Sequence, residues 1–180
     1  MIDQQLILVD DYDNFLGEYA SKEACHFGSG LHHRAFTVML LNQKKEVLLQ
    51  NRKHKLWDRL WDLTNSHPIH KSDGGDETYE QAIKKCLNRE WGIKVFVNKI
   101  FGFNYYAPLG NHCENEYCAF FAGEHNGKVF PNPEVAYGYK WIPIKELVEE
   151  IKKKSRGFTP WAVRTIENYI KEPFLKEFFE

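Results

Sequence analysis

The run H-C-E-N-E-Y-C-A-F-F-A, residues 112 to 122, constrains the fold more than any other stretch of this chain. Its second half is apolar enough for a buried strand, while its first half carries Glu114 and Glu116 one residue apart. Side chains alternate across a strand, so the two carboxylates share a face and repel one another. Either that face is a solvated strand edge, or a positive group lies beside it.

A chain of 180 residues is long enough to bury a sizeable core, and one domain over residues 1–180 is expected. Hydrophobic residues make up 43% and aromatic residues 15%, which sets the chain apart from disordered sequences. The formal net charge of -1 gives no overall attraction to nucleic acid or to a membrane, so neither is expected as a partner. An anionic ligand must therefore meet a local cluster of bases. The N-terminus has no basic leader followed by an apolar stretch, and no run of 18 apolar residues occurs, so a cytoplasmic location is expected. Cys25, Cys86, Cys113 and Cys118 form no C-x-x-C pair and are read as reduced thiols.

Strands are predicted at Leu6 to Val9, Phe36 to Leu41 and Glu46 to Gln50, the last two joined by the turn N-Q-K-K. Further strands are predicted at Val95 to Ile100, Phe103 to Ala107, Glu114 to Ala122 and Tyr137 to Ile142. The segment from Asp76 to Gly92 reads as an amphipathic helix with Ala82, Ile83, Cys86, Leu87 and Trp91 on one face. Two more helices are predicted at Ile144 to Lys153 and Pro160 to Lys171, the second with Thr159 as N-cap and Pro160 at the first helical position. Strands interspersed with helices imply α/β or α+β layers.

Glu90 stands out on the first of these helices. It falls four residues after Cys86 and seven after Ile83, on the apolar face. A buried carboxylate needs a base, a metal or a hydrogen-bond cluster, unless it sits at a boundary where its oxygens reach water. His26, His33 and His67 flank predicted elements. Together with Glu114 and Glu116 they would suit a divalent cation, although any single histidine is also at home in a core or on a surface.

These segments, taken in order, resemble the type 1 isopentenyl diphosphate isomerases. The resemblance rests on K-E-A-C-H ending at His26, H-R-A-F starting at His33, N-S-H-P through His67, a helix ending R-E-W-G, E-N-E at 114 to 116, and T-P-W ending at Trp161. It implies a Nudix-type α/β/α sandwich with a mixed β-sheet. It also implies a metal site of His26, His33, His67, Glu114 and Glu116 holding Mn, Zn or Mg. Glu90 would help bind a magnesium that arrives with the substrate diphosphate, and Lys22, Arg52 and Lys55 would grip that diphosphate. The implied reaction moves the double bond of isopentenyl diphosphate to give dimethylallyl diphosphate. A proton is gained on one side and lost on the other, with Tyr105 and Glu116 as the acid side and Trp161 facing the carbocation.

The chain departs from that family at one telling place. The family cysteine, two residues before the histidine that matches His67, is replaced by Asn65, and an amide has no useful pKa for proton transfer. Two alternatives therefore stay open: a Nudix-fold diphosphate hydrolase, and a relative that binds prenyl diphosphates without isomerising them. The hydrolase box R-E-U-x-E-E-x-G-U, where U is a bulky apolar residue, fits poorly. Anchored on Gly92, it places Lys85, Cys86 and Arg89 where its arginine and two of its glutamates belong.

Overall fold

The computed structural model describes residues 4–171. In chain order its elements are β1 (Gln5–Val9), β2 (Phe15–Ser21), α1 (Lys22–His26), β3 (His33–Leu41), β4 (Glu46–Arg52), β5 (Trp61–Asp62), β6 (Thr64–Ser66) and β7 (Ile69–His70). There follow α2 (Tyr79–Trp91), β8 (Asn98–Leu109), β9 (His112–Glu124), β10 (Ala136–Pro143), α3 (Ile144–Lys154) and α4 (Pro160–Lys171).

The strands form a mixed sheet in which β3 and β9 run parallel, from His33 opposite Glu116 to Leu41 opposite Glu124. The other pairings are antiparallel, including β8 with β9 and β4 with β10. Alternation along β3 divides the core between two layers. Phe36, Val38 and Leu40 pack with Ala82, Ile83, Cys86 and Leu87 of α2. Met39 and Leu41 pack with Leu147 and Ile151 of α3 and Ala162 and Ile166 of α4. Helices on both faces of a mixed sheet make the α/β/α sandwich that the sequence leads one to expect.

Helix α2 begins three residues later than the acids of Asp76 and Glu77 suggest, because Thr78 supplies a capping box. Its side chain accepts from the Gln81 amide, and the Gln81 side chain returns the bond to the Thr78 amide. Gly92, at φ 65°, ends the helix in the left-handed conformation. The two strands predicted at 95 to 100 and 103 to 107 are one strand, β8. Gly102 does not break it; the Tyr117 ring lies where a Cβ at position 102 would stand, and an irregularity between Lys99 and Phe101 takes up the register. Helix α4 starts at Pro160 with Thr159 at the cap position, as predicted: the Thr159 carbonyl accepts from the Val163 amide, and its hydroxyl donates to the Asp62 carboxylate at 2.7 Å. Strands β2, β5, β6 and β7 and the five-residue α1 were not anticipated.

Leu87 is fully buried between α2 and the sheet, so Leu87→Ala is expected to cost about 3 kcal/mol through lost transfer energy and the cavity left behind. Urea denaturation checks this, and a loss below about 1 kcal/mol would contradict the packing described.

Candidate active site

Strand register assembles the site. Pairing of β3 with β9 opposes His33 to Glu116, and pairing of β8 with β9 opposes Tyr105 to the same glutamate. Helix α1, capped by the Ser21 side chain, ends on His26, whose Nε2 lies 3.0 Å from Glu114 Oε2. Strand β6 runs beside β3 and leads directly into His67, whose Nε2 lies 2.9 Å from Glu116 Oε1. The outcome is that His26, His33, His67, Glu114 and Glu116 each offer one ligand atom, all within 4.8 Å of one another.

Hydrogen bonds fix the tautomers of two of these imidazoles. His26 Nδ1 lies 2.7 Å from the Lys22 carbonyl oxygen and His33 Nδ1 lies 2.8 Å from that of Leu31. A carbonyl only accepts, so each Nδ1 carries a proton, and in the neutral tautomer the Nε2 lone pair points inwards. Those lone pairs face carboxylate oxygens, with His33 Nε2 3.5 Å from Glu116 Oε1. His33 Nε2 and Glu114 Oε2 are buried with no hydrogen-bond partner among the described residues. Lone pairs that confront one another need a positive centre between them.

A proton carried by His26 or His67 is a poor candidate for that centre, and in the metal-free site the proton goes to Glu114 instead. Burial lowers the pKa of His26, and it lowers that of His67 to about 3. Burial and the neighbouring Glu116 charge push Glu114 well above the usual carboxylate range. Burial also opposes ionisation of Glu116, but the hydrogen bond with His67 and the nearness of His33 outweigh it and hold this carboxyl well below that range. Three imidazoles and two carboxylates suit a divalent transition metal, and the cluster can hold one.

The cluster opens on a cavity of about 590 Å³. Among the residues singled out from the sequence, Lys22, His26, Arg52, Lys55, His67, Glu90 and Glu114 line it. His33, Tyr105, Glu116 and Trp161 stand behind its wall, each buried. Lys22 is drawn to lower pKa by burial, against the pull of Glu114. Glu90 lies outside the five-residue cluster. Its Oε2 accepts from Gln50 Nε2 at 3.1 Å, and its Oε1 accepts from Arg89 Nη2 at 3.0 Å and from the Cys86 thiol at 3.4 Å. Asn65 also lines the cavity and accepts from Arg52 Nη1 at 3.4 Å, whereas none of the four buried cysteines lines it.

On the far side of the wall, the Tyr105 hydroxyl donates to Glu116 Oε2 at 2.5 Å. Burial and the adjacent Glu116 charge raise the Tyr105 pKa well above its ordinary value, so the phenol keeps its proton. The Trp161 indole N–H donates to Asp62 Oδ1 at 2.6 Å, and the Arg52 guanidinium lies 5.1 Å from the ring centroid. Trp57 meets Trp161 edge-on at 5.5 Å, and Leu56 packs against the same cluster. Asp62, Trp57 and Lys53 carry no expected role from the sequence, and Arg89 enters only as a mismatch to the hydrolase box. The only signals were a lone acid in W-D-L-T and the basic run R-K-H-K.

The fold and this site define the class of the protein: the NUDIX domain family matches residues 31–162. Solved structures agree on the fold. A Deinococcus radiodurans protein superposes with TM-score 0.68 at 13% identity, covering 91% of this chain and 98% of its own. The MutT protein of Methanosarcina mazei superposes with TM-score 0.61 at 15% identity, covering 78% and 94%. Sequence relatives narrow the class. Isopentenyl-diphosphate Delta-isomerase 1 of Aromatoleum aromaticum is 32% identical over 94% of this chain and 94% of its own length. The isopentenyl-diphosphate Delta-isomerase of Haloarcula marismortui is 34% identical over 81% and 80%. The chain belongs to the isopentenyl-diphosphate Delta-isomerase family.

In protein stripped of metal, the His67 imidazole titrates near 6.5 when unfolded and near 3 when folded. The unfolded chain binds more protons throughout that window, so stability falls as pH drops from 6.5 towards 3, by up to about 1.4 kcal/mol per pH unit from this group. Glu114 and Asp62, raised by burial, bind protons in the folded state and oppose this effect, so the fall is read as the difference between the parent and His67→Gln in denaturant titrations of the chelated protein. An unchanged slope in the variant would contradict a buried neutral imidazole.

Proposed function

We propose that this chain is a metal-dependent isomerase that interconverts isopentenyl diphosphate and dimethylallyl diphosphate by protonation and deprotonation. The observation that carries the reading is the shared cavity, in which the His–Glu cluster meets the cationic groups of Lys22, Arg52 and Lys55. Relatives bearing the isomerase name at 30% to 34% identity support it.

In this reading His26, His33, His67, Glu114 and Glu116 hold a divalent metal, which would neutralise the paired carboxylates and lower the proton affinity of the groups around them. Glu90 would hold a magnesium ion that arrives with the diphosphate. Lys22, Arg52 and Lys55 bind the phosphate oxygens and place the alkene. The proton added to the terminal alkene carbon comes from the Tyr105–Glu116 side, where the phenol and the carboxylate already share a hydrogen bond of 2.5 Å. The tertiary cation that forms is met by the Trp161 ring, and loss of a proton from the carbon nearer the diphosphate restores neutrality. One proton is gained and one lost. Leu56 and Trp57 pack over Trp161, so their segment has to move aside for an isoprenyl chain to reach the ring.

Asn65 favours one competing reading, a protein that keeps the grip on prenyl diphosphates without converting them. Incubating metal-replete protein with isopentenyl diphosphate, while following dimethylallyl diphosphate and free phosphate, separates the possibilities. Isomer without phosphate is the expected result. Binding with no product would leave only the non-isomerising relative, and phosphate release would point to a hydrolase.

A second expectation concerns Glu116 alone. Glu116→Gln should lose metal on dialysis and should lower kcat by a factor of about a hundred or more, since ligand and proton carrier are the same group. Normal metal content with full turnover would refute its assigned place.

A further inference from the structure

Asp62 is fully buried, lies outside the cavity lining and has no part in the chemistry above. Among the described residues, three donors converge on it and no acceptor does. Trp161 Nε1 donates to Oδ1 at 2.6 Å, the Thr159 hydroxyl donates to the same oxygen at 2.7 Å, and Arg52 Nη1 reaches Oδ2 at 3.3 Å. A donor-only environment is that of an ionised carboxylate, which can only accept. Burial pushes the carboxyl up to about 7, and Arg52 is the largest of the groups drawing it back.

A neutral acceptor would have satisfied the indole N–H at less cost in desolvation. The anion does two things a neutral group does less well. A charge-assisted bond holds the indole more firmly than a neutral one, and Trp161 is buried in the first turn of α4 with Trp57 edge-on to its ring. Negative charge on the N–H acceptor also enriches the ring in electron density, which strengthens its attraction for a cation over its face. Arg52 is tied to the same carboxylate, so the aromatic wall and one base of the cavity share an anchor.

We propose that Asp62 is a positioning residue for Trp161: its buried carboxylate fixes the indole N–H and so sets the orientation and electron density of the ring that meets the cationic carbon of a prenyl diphosphate. The inference rests on the isomerase reading and deepens it.

The test uses two probes that need no turnover. One is inorganic pyrophosphate with magnesium; the other is a short diphosphate ester that carries a protonated tertiary amine where the cationic carbon would form. Asp62→Asn preserves size and should weaken binding of the ammonium ester roughly tenfold, as expected for one desolvated cation–π contact, while pyrophosphate affinity stays within about threefold because Arg52 keeps its bonds to the Leu56 carbonyl and Asn65 Oδ1. Thr159→Val removes the neighbouring hydrogen bond to the same oxygen and should leave both affinities within about threefold. In a Trp161→Phe background, which lacks the indole N–H, Asp62→Asn should cause no further loss of ammonium ester binding.

Equal loss of both probes in Asp62→Asn, or an undiminished loss in the Trp161→Phe background, would overturn the proposal. Should Asp62→Asn fail to fold, the parent protein decides. Its Trp161 indole N–H resonance, identified by disappearance in Trp161→Phe, is expected downfield and slow to exchange, and a fast-exchanging signal would overturn the assignment. A parent protein that binds neither probe would instead remove the isomerase reading itself, and the role of Asp62 with it.

Discussion

Two carboxylates buried on one strand face beside three imidazoles are the constraint on which the rest of this molecule depends. Glu114 and Glu116 would repel each other in a site with almost no water, and the inward lone pairs of His26 and His33 add to the imbalance. Such an arrangement persists only if folding places a cation there or if the gain from the rest of the core outweighs the cost. The parallel register of β3 on β9 commits the chain to it, because a slip of one residue would turn Glu116 from His33 and expose the apolar residues beyond it.

Charge is sorted locally in a chain that is almost neutral overall. The acids and imidazoles collect at the end of β3 and β9, while Lys22, Arg52, Lys53, Lys55 and Arg89 collect on the other lining of the same cavity. Neither set is explained by composition. Arg52 joins them to the aromatic wall, since it bonds to Asp62 and Asn65 and lies over Trp161. The same guanidinium is therefore placed to respond to an anion in the cavity and to the indole behind it.

Much of the fold was legible because its long elements have clean periods. Helices α2, α3 and α4 carry apolar stripes, and β3, β4 and β9 are apolar through their centres. Strands β5, β6 and β7 are two or three residues long and exist through their partners, so no local pattern could announce them. The gap between the strands predicted at Val95 to Ile100 and Phe103 to Ala107 holds Gly102, where a side chain would meet the Tyr117 ring. For the site, residue type and spacing led only as far as a weak suggestion of a metal. The resemblance to a family singled out the five residues that the structure gathers within 4.8 Å. Asp62 was invisible because a lone acid in an apolar run gains its meaning from Trp161 and Thr159, about a hundred residues away in sequence.

X-ray absorption at the metal edge of the purified, metal-loaded protein tests the central claim most directly. The account predicts one class of site with nitrogen and oxygen ligands only, and with the outer-shell scattering of the three imidazoles His26, His33 and His67. Sulfur in the first coordination shell would contradict it, since all four thiols are buried outside the donor set. A spectrum without imidazole scattering would contradict it equally.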